Sequence, residues 1–309
     1  MSINYQEYLN IYRLIVILTV LALALTACGG KAASPSGTAG SVVLTSTTFL
    51  ADITRNVAGE RVEVESLLPV GADPHSYQPT PQDVTKIVQS KLLIINGAEY
   101  EHFLEPLLEN AGGEREVIVA SAGLSPEKDP QSEHGVDPHL WLDPNNVLVY
   151  VENIREALTH FDPDGAALYK SNADAYVAQL KDLDIWISEQ VSQIPPERRL
   201  LVTNHEALGY FADRYGFTVI GAILPGVSSD ASASAGQMSA LIDQIKASGV
   251  PALFLDEVEN PALAQQIADE TGVKVVEDLH LESLTDGPPA ATYINMMKHN
   301  VTRIIEALK

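Results

Sequence analysis

From Val42 onward, short apolar runs rich in β-branched residues alternate with segments of helical periodicity. Strands that alternate with helical segments predict parallel sheets with helices packed on their faces. Two of the runs, LLIIN and ALFLD, are almost continuously apolar, which is typical of strands buried on both faces. The predicted strands are Val42–Ser46, Val62–Leu68, Lys91–Asn96 and Glu116–Ala120 in the first half, and Leu200–Asn204, Thr218–Ile223, Ala252–Asp256 and Lys274–Val276 in the second. The pattern therefore predicts two α/β lobes, each with a doubly wound, four-stranded and mainly parallel sheet.

One segment between the two halves has a different pattern. From Asp164 to Gln193 there is no proline, and Gly165 is the only glycine. A single helix over this segment would measure about 45 Å at ~1.5 Å per residue, and we expect it to join the lobes. The alternative is a long surface helix within one domain.

The chain is expected to have two folded lobes, residues 42–162 and residues 195–309, with the linker helix at 163–194 between them. Shorter helices are predicted at Thr80–Gln89, Tyr100–Asn110, His205–Tyr215, Ala233–Ser248 and Pro261–Thr271.

The first 27 residues have the pattern of an export signal. Arg13 precedes an apolar run from Leu14 to Leu25, which is too short to span a bilayer as a helix of the mature protein. The single cysteine, Cys28, follows directly after small residues, and the four residues that end at it resemble the lipobox of bacterial lipoproteins. That resemblance implies cleavage before Cys28 and diacylation of its thiol. Residues 28–41 are rich in Gly, Ser, Ala and Pro and predict a flexible tether.

Charge and cysteine content narrow the functional classes. The net charge of −22 argues against electrostatic binding to nucleic acid or to anionic lipid. Because Cys28 is the only cysteine, the folded part of the chain has neither disulfides nor thiolate ligands. Any transition-metal site must therefore be built from histidine and carboxylate side chains.

Three of the eight histidines occur in loops that follow predicted strands: His75, His139 and His205. His75 and His139 each end an Asp-Pro-His triplet, and His205 directly follows the strand Leu200–Asn204. Loops at the carboxyl ends of parallel strands converge on one crevice, where ligands of open α/β sheets bind. A proline before the histidine restricts the backbone and lowers the entropy lost on coordination. The three histidines are far apart in sequence and form no short zinc motif, so spacing alone does not identify a site.

The segments around these histidines resemble the metal-binding segments of the zinc/manganese solute-binding lipoproteins of ABC importers. The similar segments are Asp73–His75 with Tyr77 and Pro79–Pro81, His139–Pro144, Asn204–Ala212 and the tail Gly287–Asn300. The resemblance covers essentially the whole chain after the tether. It implies two α/β lobes joined by one long helix, a single divalent ion held between the lobes, and delivery of that ion to the permease of an ABC importer.

The fourth ligand in this family is usually an Asp in the loop after the last strand of the second lobe. Here that loop is Glu277–Leu284, and the Ser-Leu pair that follows the ligand in the family points to Glu282. Glu is one methylene longer than Asp, so its backbone must stand farther from the ion. Asp278 and His280 remain alternatives. The resemblance thus implies a metal site made of His75, His139, His205 and Glu282.

The ligand types indicate which ion is bound. Three imidazoles and one carboxylate suit tetrahedral Zn²⁺, whereas Mn²⁺ prefers more oxygen ligands and a higher coordination number. Manganese-selective members of the family usually have a Glu where His205 stands. Zinc is therefore expected, with manganese as the alternative.

The other histidines have weaker signals. His134 lies in a polar loop, which either captures metal weakly or is a plain surface loop. His102, His160 and His299 are expected on helices, as surface or capping residues.

Two other functional classes are open to such a chain: an extracellular zinc hydrolase and an adhesin-like surface protein. A catalytic zinc keeps one coordination position for water, whereas four protein ligands close the site, so we expect no enzyme. The expected protein is a monomer, lipid-anchored on the outer side of a membrane at the cell surface or in the periplasm. Its expected partners are an ABC permease and, through the anchor, the membrane, with no nucleic acid.

Overall fold

A computed structural model describes residues 42–128, 135–229, 232–256 and 261–309 of the 309-residue chain. The export signal, Cys28 and the tether lie outside the described residues, and so does His134. Among the residues that the structure describes, no helix is long and apolar enough to cross a membrane.

Two four-stranded parallel sheets form the centres of two lobes, as predicted. The strand order is β2-β1-β3-β4 in the first sheet and β6-β5-β7-β8 in the second, so the two lobes share one topology. The first sheet consists of β1 (Val42–Thr45), β2 (Glu63–Ser66), β3 (Ser90–Ile95) and β4 (Glu116–Val119). The second consists of β5 (Leu200–Thr203), β6 (Thr218–Ala222), β7 (Ala252–Asp256) and β8 (Lys274–Leu279).

The last strand extends beyond its prediction. β8 runs to Leu279, three residues beyond the predicted end at Val276, although it passes through the polar pair Glu277-Asp278. Leu279 is fully buried and pairs with Asp256 of β7 after a shift in register. This pairing between strands outweighs the local polarity from which the shorter strand was predicted.

The helices flank the sheets in the order expected of α/β lobes. They are α1 (Thr48–Ala58), α2 (Pro81–Gln89), α3 (Leu104–Ala111), α4 (Pro144–Phe161), α5 (Ala166–Val191), α6 (Gly209–Tyr215), α7 (Ala235–Ser248), α8 (Pro261–Thr271) and α9 (Tyr293–Leu308). Two helices begin four residues later than predicted. α3 starts at Leu104 rather than Tyr100, and α6 starts at Gly209 rather than His205, because the intervening residues form turns at the candidate site.

Polar side chains at the helix starts explain several boundaries. Asp143 accepts a hydrogen bond from the backbone N–H of Asn145 at 2.8 Å, and Pro144 occupies the first turn of α4. Thr292 accepts from the N–H of Asn295 at 3.2 Å at the start of α9. These caps satisfy backbone donors that have no partner within the helix.

The long helix α5 has 26 residues and a length of about 39 Å. It is shorter than the predicted segment Asp164–Gln193 at both ends. Pro163–Gly165 forms a separate turn of 3-10 helix before it, and the chain leaves the helix after Val191. A residue that precedes proline is disfavoured in helical geometry, and Ile194 directly precedes Pro195-Pro196.

One face of α5 is buried along its whole length and packs against α4, α1 and α9. The buried residues are Tyr169, Ala173, Tyr176, Leu180, Leu183, Ile187 and Val191. They belong to one continuous apolar core that also contains Leu92 of the first sheet and Phe254 of the second. Because both sheets contribute to the same core, large separation of the lobes would expose well-packed apolar surface.

Candidate metal centre

The four predicted metal ligands follow strands of both sheets. His75 follows β2 and His139 follows β4 in the first lobe, whereas His205 follows β5 and Glu282 follows β8 in the second. The carboxyl ends of these strands face one another, so residues that are far apart in sequence meet. One ligand atom from each of the four side chains lies within 4.8 Å of all the others.

The four side chains converge on the Glu282 carboxylate. Its Oε1 atom lies 3.0 Å from Nε2 of His139, 3.2 Å from Nε2 of His205 and 3.9 Å from Nε2 of His75. A tetrahedral ion with bonds of ~2.0 Å to nitrogen and oxygen separates its ligands by about 3.3 Å. The three distances to Oε1 bracket this value, and all four donor atoms lie within 4.8 Å of one another, which is compatible with a small tetrahedral ion.

The two Asp-Pro-His triplets share one local structure. Oδ1 of Asp73 accepts a hydrogen bond from the backbone N–H of His75 at 2.9 Å, and Oδ1 of Asp137 accepts from the N–H of His139 at the same distance. A short acidic side chain that bonds to the backbone two residues ahead stabilises a tight turn. The triplets differ in one respect, because only Asp137 also lies against its histidine ring, 2.7 Å from Nδ1 of His139.

A second carboxylate lies beside the ring of His205. Asp256, the last residue of β7, places Oδ2 3.3 Å from Nδ1 of His205. A carboxylate at Nδ1 orients the imidazole and leaves Nε2 to face the site. Sequence analysis assigned no role to Asp256, although an acid that ends the buried run ALFLD was a visible signal.

Glu282 is fixed by a tyrosine that the sequence analysis also missed. The hydroxyl of Tyr100 donates a short hydrogen bond to Oε2 of Glu282, so this carboxylate directs only Oε1 at the three histidines. Tyr100 lies on a turn in which Ala98 and Glu99 have φ values of 54° and 60°. The partly buried Glu101 carboxylate holds this turn, since it accepts hydrogen bonds from the Ser46 hydroxyl at 2.7 Å and the Gly97 N–H at 3.0 Å.

The two alternative fourth ligands lie outside the cluster. Asp278 is exposed and pairs with Arg303, whose Nε is 2.9 Å from its Oδ1. The backbone N–H of His280 donates to Asn300 at 2.8 Å, and the ring of His280 packs against that of His299. Neither residue belongs to the group of converging metal-ligand atoms found among the described residues.

Aromatic rings line the site on the side of the first lobe. Trp141 packs against Tyr100 at 4.9 Å and against His139 at 5.2 Å between ring centroids, and both aromatic residues are almost completely buried. Trp141 also donates from Nε1 to the backbone oxygen of Leu281 at 2.9 Å, which ties the first lobe to the segment that carries Glu282. The rings of Trp141 and Tyr100 keep water away from the ligands on this side.

The electrostatics of the site favour a proton when no metal is bound. Burial lowers the pKa of His139, but the carboxylates of Glu282 and Asp137 outweigh it and raise that pKa to about 9. Burial likewise opposes the charge on Glu282, yet His139 and the other histidines hold the pKa of Glu282 well below its usual range. A metal cation would replace the proton on His139 as the partner of Glu282.

His75 is the least enclosed of the four residues. His139, His205 and Glu282 are each at most 1% exposed, whereas His75 is only partly buried. Its Nε2 is nevertheless buried and has no hydrogen-bond partner among the described residues. A buried nitrogen of this kind, aimed at three other ligand atoms, fits a coordinated cation.

The remaining histidines lie away from the site. His102 is exposed in the turn before α3 rather than on a helix, which corrects the prediction, and His160 is exposed on α4. His299 lies on α9, where its Nε2 is 2.8 Å from the backbone oxygen of Asp278.

Comparison with known proteins identifies the family. A family model described as the periplasmic component A of the zinc-uptake complex matches residues 43–307. The chain belongs to this family. It is 35% identical over 294 residues to the manganese-binding lipoprotein MntA of Halalkalibacterium halodurans, covering 94% of this chain and 97% of that protein. It is 34% identical over 275 residues to the iron-binding protein YfeA of Yersinia pestis, covering 88% of each chain.

The fold is also that of solved members. The periplasmic zinc-binding protein TroA of Treponema pallidum superposes with a TM-score of 0.80 at 30% identity, covering 87% of this chain and 99% of the other. The relatives are thus named for manganese, iron and zinc.

Proposed function

We propose that this protein binds one divalent metal ion, zinc in preference to manganese, outside the cytoplasm and delivers it to an ABC-type importer. One observation carries the proposal: three imidazole nitrogens and one carboxylate oxygen, from four separate loops, lie within 4.8 Å of one another. Membership of a metal-uptake family supports the delivery role. Because the relatives carry the names of different metals, the choice of ion is argued from the donor atoms.

The donor set favours zinc for two reasons. Three neutral imidazoles and one carboxylate are a ligand set of tetrahedral zinc sites, whereas manganese prefers more oxygen ligands. Tyr100 also occupies Oε2 of Glu282, so the carboxylate offers one oxygen rather than two. A site limited to four donors disfavours an ion that requires five or six.

A hydrolytic zinc site is the competing function. Catalytic zinc uses three protein ligands and a water molecule, whereas four side chains converge here. All four ligand side chains are also almost completely buried, with the His75 ring only 6% exposed, which leaves little access for a substrate other than an ion.

The location and partners follow from the N-terminal segment and the family. We propose that Cys28 carries the lipid anchor and that residues 28–41 tether a monomeric folded part, residues 42–309, to the outer side of the membrane. Several relatives are named lipoproteins of metal ABC transporters, which supports an anchor and a permease partner. The proposed domain limits, at residues 162 and 195, flank the long helix.

Competitive metal titration of the purified folded part tests this function. Metal-free protein is titrated with Zn²⁺ and with Mn²⁺ against a chelator of known affinity, and bound metal is counted by elemental analysis. We expect one ion per chain and a zinc affinity at least tenfold above that for manganese. His160→Ala, which changes an exposed histidine, is the matched control and should bind normally. Equal or stronger binding of manganese would contradict the choice of zinc, and no binding of either ion would contradict the function.

A further inference from the structure

The loop between β2 and α2, which carries His75, is bonded to the opposite lobe at two points. The hydroxyl of Ser229, in the loop after β6, donates to Oδ2 of Asp73 at 2.6 Å. The backbone N–H of Gly71 donates to the hydroxyl of Ser283, next to Glu282, at 2.9 Å. Both bonds connect the first lobe to the second close to the candidate metal centre.

Asp73 connects the histidine to this interlobe contact. Its Oδ1 accepts from the backbone N–H of His75, while its Oδ2 accepts from Ser229 of the other lobe. A single carboxylate therefore bonds to the backbone of a metal ligand and to the facing lobe. Asp137, the equivalent residue of the second Asp-Pro-His triplet, is instead committed to the ring of His139.

Of the four proposed ligands, His75 is the one on an irregular, partly exposed loop. The other three ligands are at most 1% exposed, and separation of the lobes would expose the apolar core to which both sheets contribute. The loop of His75 has exposed residues at Gly71 and Ser76 and contains no regular secondary structure. Opening of this loop would uncover the ion, and it requires that both interlobe bonds break, that of Gly71 to Ser283 and that of Asp73 to Ser229.

We propose that Asp73 and Ser229 form an interlobe latch, a pair of positioning residues that holds His75 against the ion and sets how fast the ion leaves. The latch rests on the proposed metal-binding function and adds a kinetic role for two residues that are not ligands. A hydrogen bond from a hydroxyl to a carboxylate is stronger than one between neutral groups, so its loss should be measurable as a rate.

Ser76 provides a matched control. Its hydroxyl donates to the same Oδ2 atom of Asp73, at 2.7 Å, but from within the loop itself. Ser76→Ala therefore removes one bond to the same acceptor without removing a bond between the lobes. Ser229→Ala removes the interlobe bond, and Ser229→Thr retains a hydroxyl at that position.

The experiment measures zinc dissociation from the folded protein, loaded with one ion and mixed rapidly with excess chelator. We expect Ser229→Ala to speed dissociation by about tenfold, as loss of a bond to a charged acceptor would do. Association should change by less than about twofold. Ser76→Ala should dissociate zinc within about twofold of the unmodified protein, and Ser229→Thr should restore most of the slow rate.

Two results would overturn the latch. One is a dissociation rate in Ser229→Ala within twofold of the unmodified protein, and the other is an equal acceleration in Ser76→Ala, which would assign the effect to order within the loop. Both leave the metal-binding function intact, since each requires that the unmodified protein binds zinc. Failure of the unmodified protein to take up zinc would instead overturn the proposed function, and the latch with it.

Discussion

His139 and His205 each have a carboxylate against the ring nitrogen that faces away from the site, supplied by Asp137 and Asp256. The carboxylate beside His75 bonds to backbone and to two serine hydroxyls instead. The first two rings are buried at the carboxyl ends of sheet strands, while His75 lies on a partly exposed loop. We refer to His139, His205 and Glu282 as the fixed ligands and to His75 as the loop ligand.

The difference separates two tasks within one site. In the proposed metal centre, the fixed ligands would set the position and type of ion, because neighbouring side chains orient them. The loop ligand would complete the coordination from a partly exposed loop. A delivery protein needs both properties, since it must bind selectively and still release its ion.

Removal of a fixed ligand should have the largest effect. We expect His205→Ala to lower zinc affinity by more than about 100-fold. Loss of a side chain that merely supports a metal ligand typically lowers the affinity by about 10–100-fold, and His205 is itself a proposed ligand. His75→Ala should cost less, since three oriented donors remain. Chelator competition measures both affinities, with circular dichroism to show that the metal-free fold persists. Equal losses would remove the distinction between fixed and loop ligands, and unchanged affinity in His205→Ala would refute the site.

Loss of ring support should come next in size. We expect Asp256→Asn to weaken zinc binding by about 10–100-fold, because an amide neither orients the His205 ring as firmly nor increases its basicity. Asp278→Asn is the control, since Asp278 is an exposed acid near the end of the adjacent strand and lies outside the cluster. If the two variants bind zinc alike, the carboxylate behind His205 does not support the ring.

The fold could be predicted from the sequence to a large extent because parallel strands carry a strong local signal. The runs LLIIN and ALFLD are apolar along their whole length, and strands were observed at both positions. The long helix α5 was predicted to within two residues at each end, whereas β8 is three residues longer than predicted because it pairs with β7. Such pairing between strands is an effect of context that a window of sequence does not contain.

The site was accessible from sequence only for residues within recognisable motifs. His75 and His139 stand in Asp-Pro-His triplets, and the structure brings both to the same point as Glu282. Tyr100 was missed because nothing in its own segment marks it. Its role depends on left-handed backbone at Ala98 and Glu99 and on a partner 182 residues away in the chain.

The pH dependence of zinc affinity should report the charge of His139, one of the fixed ligands. The pKa of His139 is raised to about 9 in the metal-free protein, so this histidine carries a proton at pH 7 that the ion must displace. Zinc affinity should therefore rise about tenfold per pH unit between pH 6 and pH 8. The same raised pKa stabilises the metal-free fold below the ordinary histidine pKa, and that contribution is lost as the pH rises through about 9.

Calorimetry in two buffers of different ionisation enthalpy measures the protons released. About one proton per zinc ion is expected at pH 7. Binding without proton release would show that His139 is already neutral in the metal-free protein. In that case the pairing of His139 with Glu282 and Asp137 would not be an ion pair.

The smallest expected effect is that of Tyr100→Phe, which tests whether Glu282 also sets the coordination number of the ion. Tyr100→Phe removes the hydroxyl that occupies Oε2 of Glu282, so the carboxylate gains the freedom to offer both oxygens. We expect zinc affinity to fall by about threefold to tenfold, as for the loss of one ordinary hydrogen bond, while manganese affinity falls less or rises. Tyr77→Phe is the control, because the Tyr77 hydroxyl bonds to Asp83 at 2.8 Å, in the same loop as His75 but away from the ligands. The ratio of zinc to manganese affinity should shrink only in Tyr100→Phe. A ratio that is unchanged there would mean that selectivity depends on the three imidazoles alone, and a ratio that shrinks equally in Tyr77→Phe would assign it to the loop ligand instead.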